Sequence, residues 1–417
     1  MSHSPLLLQI VVIVSTARLL AFLLRYLGQS PVVGEMAAGI VLGPIVFGYF
    51  APEWHARLFD VESLGALRGL SEVGLVLFMF IVGAELRMPT GARQQLAAAT
   101  WIGVLSVLLP MAVGLGLATG LYSSLAPEGV EFWPFALFIA SAVSITAFPV
   151  MARILKERHM TQTAVGRLSL ASAAIADLLA WLLLAVVVIV AGSQQNWTRL
   201  GRTVLGIAAL ALVIFVLCKP LIRRMLSQHA ADGRPAGALL AVMLIGTFSC
   251  AYVTDILGVH SVFGAFLFGL CLPRDDRLLA SLVERIEYVA IIVLMPIFFA
   301  LAGLNTTADA FVGTGLGAMS AIIVAAVTAK IAAGTVGARI GGQSWRASLA
   351  VGSLMNARGM MELIVIKVGL DIGVISHQLF TMLMVMAILT TVMTGPLLTL
   401  FSGKANTVAA SHTKVID

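Results

Sequence analysis

Apolar positions in this chain come in long blocks rather than in the two-residue alternation of a half-buried strand or the stripe of a surface helix. Short polar or charged segments separate the blocks. Thirteen can be drawn: 5–26, 32–50, 67–86, 95–124, 133–155, 162–192, 200–221, 235–256, 258–273, 280–304, 313–338, 344–370 and 376–402. A helix needs about 20 apolar residues to cross a bilayer, and most of the blocks meet that length. A membrane β-barrel would instead show alternating segments of about ten residues. The pattern therefore predicts an all-α polytopic membrane protein with about 13 transmembrane helices.

Composition agrees. Of 417 residues, 60% are hydrophobic and 11% charged, with a mean hydropathy of +1.02; about a quarter of a soluble chain would be charged. The net charge of +6 is scattered singly through short loops, with no basic stripe or interleaved aromatics, so no nucleic-acid partner is expected. Cys218, Cys250 and Cys271 fall in or beside apolar blocks without CxxC spacing and read as small buried residues. The first residues lack a basic n-region, so no cleaved signal peptide is expected.

Loop charge orients the blocks. With the N-terminus outside and the spans alternating, 18 Lys and Arg residues fall on the inner side and 4 on the outer. Arg18, Lys330, Arg358 and Lys367 lie within spans. This bias predicts an integral protein, placed in a bacterial inner membrane, with a cytoplasmic C-terminus and a short polar tail at 403–417.

An odd span count suggests a symmetry. A first repeat (5–192), a linking helix (200–221) and a second repeat (235–402) of opposite orientation make the inverted-repeat plan of many transporters. The fifth and twelfth spans then correspond, and both carry helix-breaking sequence: Ser144-Ile-Thr-Ala-Phe-Pro149 and Gly352-Ser-Leu-Met-Asn-Ala-Arg-Gly359. Proline and glycine weaken the helical ladder, and freed backbone groups are tolerated at membrane depth only where they face protein or a cavity. A proline kink packed against its neighbours is the plainer reading of either break alone. The pairing favours a midmembrane binding site at two broken helices.

Two midspan charges give that site its chemistry. Asp177 lies near the centre of LSLASAAIADLLAWLLLAVVVIVA (168–191), and Lys330 lies within SAIIVAAVTAKIAAGTVGA (320–338). Each costs about 2.5–3.5 kcal/mol to insert, so both are expected to face a wet cavity or a partner. A hard cation needs several oxygens; Asp177 offers two, and uncoiled carbonyls near Ser144 to Thr146 offer others. A proton on Asp177 removes its grip on the cation, so the two compete for one carboxylate. Lys330 is expected to pair with Asp177 in the empty state.

The chain resembles the monovalent cation:proton antiporter superfamily, in particular its second branch of plant cation/proton exchangers and bacterial potassium-efflux or sodium–proton antiporters. The likeness spans about residues 8–400. It is strongest at GEMAAGIVLGP (34–44), LSEVGLVLFMFIVGAEL (70–86), SITAFPVMARIL (144–155), GVHSVFGAFLFGLCLPR (258–274) and MNARGMMELIVIKVGLDIGVIS (355–376). It implies Asp177 as the ion- and proton-binding carboxylate, with Na⁺ or K⁺ as the bound metal. It also implies Lys330 as the basic partner, Thr146 to Pro149 as the first unwound crossing and Asn356 to Gly359 within the second. Homodimers, an elevator-like motion, a role in pH homeostasis and no cofactor are implied too. Ala176 and Ala147 stand where many relatives carry a further oxygen ligand, leaving one carboxylate.

One carboxylate makes one-for-one, electroneutral exchange of Na⁺ or K⁺ for H⁺ the simplest cycle. If Lys330 also releases a proton, two move and the cycle is electrogenic. Two rival functions stay open: proton-coupled export of an organic solute on the same fold, and a passive cation channel, although no TVGYG-like filter is present. No nucleophile–base set suggests an enzyme. Arg358 and Glu362 are four apart on one helical face and read as a structural pair. Glu35, Glu72 and Glu85 sit toward span ends within reach of water, His260 opens the ninth span, and Arg18 lies deep in the first.

Overall fold

The computed structural model describes residues 5–60, 63–85, 93–193, 197–229, 237–272 and 284–402. The expected tail, the basic loops around 86–92, 230–236 and 273–283, and the side chain of Glu85 lie outside the described residues.

The main helices in chain order are α1 (Leu6–Tyr26), α2 (Pro31–Leu42), α3 (Leu64–Glu85), α4 (Arg93–Leu125), α5 (Phe132–Ser144) and α6 (Phe148–Glu157). Then come α7 (Ala164–Ser193), α8 (Trp197–Val213), α9 (Gly237–Ile256), α10 (Ser261–Cys271) and α11 (Met295–Leu304). The last four are α12 (Thr314–Ile340), α13 (Trp345–Met355), α14 (Met360–Asp371) and α15 (His377–Ser402).

Among the described residues, 11 helices are long and apolar enough to cross a membrane, and the bent pair α13–α14 makes up to 12. The ninth expected span is shorter than drawn: only Ser261–Cys271 is helical. The 32–50 block forms α2 followed by the single turn Phe47–Phe50.

Two compact units divide the chain, and each draws on both halves of the sequence. One comprises Met1–Thr16, Val41–Arg87 and Ala185–Leu304. Inside it α3 packs on α10 with their backbones in contact: a Cβ at Gly83 would sit 2.3 Å from the Phe266 carbonyl oxygen, and one at Gly269 2.3 Å from that of Phe80. Small residues allow this approach where no water squeezes helices together. Ile13, Leu42, Phe59, Leu67, Ile297, Ala300 and Leu301 close its core.

The other unit, Ala17–Ile40, Met88–Leu184 and Asn305–Asp417, carries every predicted site residue. We call it the crossing unit. Here α12 lies along α4, and α4 along α5. Helices α12 and α13 also touch, with a Cβ on Gly334 reaching 2.8 Å from the Gly352 Cα. This packing brings Lys330 of α12 to the end of α5.

Candidate functional site

The first interruption follows from Pro149. Its ring would clash with the carbonyl of residue 145 in a continuous helix, and it offers no N–H to that carbonyl. Accordingly α5 stops at Ser144, Ile145 and Ala147 are extended, and Pro149 sits in the first turn of α6. The second interruption follows from Gly359, whose φ of +150° and ψ of −129° suit only a residue without Cβ. A Cβ there would also lie 2.8 Å from Val150 Cγ2. The chain bends by 43° between α13 and α14.

The two interruptions meet. Ala147 N–H donates to the Ala357 carbonyl at 3.0 Å, and Thr146 Oγ1 donates to the Met355 carbonyl at 3.4 Å. Helix α15 straps the second break: Asn356 Nδ2 donates to Thr390 O, and Thr391 Oγ1 accepts from Arg358 N–H and donates to Arg358 O. Backbone groups freed by the breaks are thus largely satisfied by protein, as membrane depth requires.

Four buried charges surround this crossing. Asp177, on α7, is 1% exposed. Its Oδ2 accepts the Phe148 N–H at 3.3 Å, at the N-terminus of α6, where the helix dipole favours a negative charge. Its Oδ1 has no partner. Lys330 is fully buried, and its ammonium donates to Ser106 O at 2.7 Å, to Thr146 Oγ1 at 2.7 Å and to Ser144 O. Three donors meet three acceptors, so the ammonium is saturated. Arg358 donates to Ala142 O at 2.8 Å, to Val143 O and to Glu362 Oε1 at 3.1 Å. Arg358 and Lys330 together therefore cap the last carbonyls of α5, the negative end of that half-helix.

The structure brings Ser144, Thr146, Asp177, Lys330, Asn356 and Arg358 to one crossing, with Pro149 and Glu362 in the adjoining half-helices. Two details differ from the sequence reading. Lys330 makes no direct ion pair with Asp177; the crossing strand holds them apart, Lys330 on Ser144 and Thr146 and Asp177 on Phe148. Ser144 contributes its carbonyl, already taken by Lys330, while its hydroxyl turns back to Ser141 O.

A narrow cleft of about 200 Å³, open mouth included, reaches Asp177 between Ile145, Thr146, Ala180, Trp181, Met361 and Val365. Glu362 and Arg358 do not line it. Ser172, on the same helix as Asp177, turns its hydroxyl back to Leu168 O and away from any ligand role. Ala147 and Ala176 are fully buried and outside the cleft lining, so Asp177 is the one carboxylate among its lining residues.

Sequence reasoning did not find Ser106, because it acts through a carbonyl, nor the Phe148 N–H for the same reason. It also placed Glu35 within reach of water. Instead Glu35 is fully buried and pairs with Arg18 at 3.3 Å, drawing inward a guanidinium that stays part-exposed. Partners 17 residues apart on two helices leave no local spacing to read. Glu72 is exposed, and His260 precedes α10 beside the Ser261 hydroxyl.

Interrupted helices crossing around buried charges, in an all-helical body of membrane-length segments, define a polytopic membrane transporter rather than an enzyme. A family model described as "Sodium/hydrogen exchanger, transmembrane" matches residues 11–402, and the chain belongs to that family. The Na(+)/H(+) antiporter NhaS4 of Synechocystis is 38% identical over 394 residues, covering 94% of this chain and 96% of that protein. The K(+)/H(+) antiporter 1 of Saccharomyces cerevisiae is 35% identical over 407 residues, 95% of this chain; the chain spans 46% of that relative's length. The solved sodium–proton antiporter MjNhaP1 of Methanocaldococcus jannaschii shares the fold, with a TM-score of 0.65 over 96% of this chain and 100% of that one, at 12% identity.

Proposed function

We propose that the protein is a secondary antiporter exchanging a monovalent cation, Na⁺ or K⁺, for H⁺, with Asp177 holding one or the other in turn. The observation that carries this reading is the state of Asp177: buried, anchored through one oxygen, and free at the other beside a cleft. A carboxylate so placed offers an acceptor to a cation and a site to a proton, and not to both. The cleft, narrow even with its open mouth counted, leaves room for far less than the drug-sized ligands of organic-ligand sites, which favours an inorganic cargo over an exported solute. Both Na⁺ and K⁺ appear in the names of relatives, so either cation fits the family.

With one carboxylate in the lining, the cycle moves one proton per cation and is electroneutral. Lys330, held by three oxygens of the crossing, acts as a counter-charge to Asp177. Alternating access is elevator-like, with the crossing unit carrying the site, in a homodimer built on two inverted repeats. The loop-charge bias supports an outer N-terminus and an inner C-terminus, and a bacterial inner membrane with a role in pH homeostasis fits the family. In proteoliposomes, an imposed gradient of Na⁺ or K⁺ drives opposite proton movement in wild type and not in Asp177→Asn. Clamping the membrane potential leaves that rate unchanged; a rate that follows the potential overturns the electroneutral cycle.

A further inference from the structure

A second cleft opens in the crossing unit, away from Asp177, where α1 gives way to α2. It takes in about 280 Å³, mouth included, and is lined by Gly28, Gln29, Ser30, Arg158, Thr391 and Gly395 among others. Loop charge assigns this end to the inner face. Three features give it a chemistry.

First, Ser30 immediately precedes α2 and is 5% exposed, yet its hydroxyl has no hydrogen-bond partner. A serine in this position ordinarily accepts an N–H from the first turn. Leaving a buried hydroxyl unpaired is unfavourable, and a ligand in the cleft relieves it. Second, Arg158 spends one N–H on Thr399 Oγ1, at 2.6 Å, and is exposed. Its Nη2 lies over Gly395, where an added Cβ would come within 3.0 Å, so this glycine makes room for the guanidinium. Third, the 12-residue α2 points its positive end here, and no carboxylate occurs among the described lining residues.

A guanidinium fork, a spare hydroxyl and a helix N-terminus together suit a tetrahedral oxyanion. We infer that this cleft binds a phosphate group, held by Arg158 and Ser30 at the start of α2. The group belongs to free inorganic phosphate or to the headgroup of an anionic phospholipid.

The test uses the full chain in nanodiscs. One arm titrates inorganic phosphate into phosphatidylcholine discs at constant ionic strength; the other replaces part of that lipid with phosphatidylglycerol. Melting temperature and retained phosphate or lipid by native mass spectrometry are read in both. Wild type is stabilised in the first arm if the ligand is the free ion, and in the second alone if it is a headgroup. Arg158→Gln weakens the response about tenfold, the loss expected for a charge-assisted contact. Ser30→Ala weakens it less, and Gly395→Ala weakens it while keeping the charge. Lys156→Gln, an exposed cation in the last turn of α6 and outside the cleft, leaves it unchanged. Should Arg158→Gln fail to fold, Ser30→Ala and Gly395→Ala decide alone, and wild-type binding in both overturns the inference. So does a wild type that responds in neither arm, or a Lys156→Gln variant that loses as much as Arg158→Gln.

Discussion

Two sets of opposite charges lie buried in the crossing unit, and they are built in opposite ways. Arg358 and Glu362 are four residues apart, touch at 3.1 Å, and lie outside the cleft lining. Asp177 and Lys330 come from different helices, make no direct pair, and are each bonded instead to the crossing backbone. A closed pair neutralises itself and stiffens what it joins. An open pair leaves a carboxylate oxygen free beside the cleft, whereas the unpartnered Oε2 of Glu362 lies outside the cleft lining, and a counter-charge nearby keeps the region close to neutral. The first arrangement suits structure, and the second suits an ion that arrives and leaves.

The sharpest break of this contrast is functional. Asp177→Asn should reduce cation-driven proton flux to that of empty liposomes with little change in melting temperature, since the amide keeps the shape and can still accept the Phe148 N–H. If exchange survives, the open pair is not the site. Next comes the closed pair. Glu362→Gln leaves Arg358 charged and buried, and should cost about 3–5 kcal/mol of stability, seen as a lower melting temperature in detergent. Replacing both by apolar residues (Arg358→Met with Glu362→Leu) should recover part of that loss. A variant that melts like wild type would remove the structural role.

Lys330→Met should be intermediate. It strips hydrogen bonds from Ser106 O, Ser144 O and Thr146 but also removes the cost of burying an ammonium, so the net loss should be about 1–3 kcal/mol. Transport should fall in parallel, and Lys330→Arg should restore part of the stability. The smallest effect belongs to the surface pair of Lys367 with Asp371, also four apart and partly exposed. Lys367→Ala should change stability by only about 0.3–0.5 kcal/mol, because water screens the pair.

Much of this arrangement was legible in the sequence wherever it is written as an exception to an apolar run. Asp177 and Lys330 stand out because almost any charge in such a run is costly, and Pro149 and Gly359 stand out because they forbid a continuous helix. What the sequence could not display is tertiary. The carbonyl of Ser106 and the N–H of Phe148 are backbone groups found in every residue, and only the packing of α4 and α7 selects them. Glu35 looked able to reach water until the fold set Arg18 beside it. The direct pairing expected of Lys330 and Asp177 failed for a related reason, since Thr146 supplies an oxygen that occupies the ammonium first.

One measurement addresses the central claim most directly: binding of radiolabelled Na⁺ or K⁺ to the purified protein across a pH series, in wild type and Asp177→Asn. If proton and cation share the free oxygen of Asp177, lowering the pH weakens apparent cation affinity, with saturation still reached at high cation, and the variant binds none. Cation binding that ignores pH, or that persists in Asp177→Asn, contradicts it.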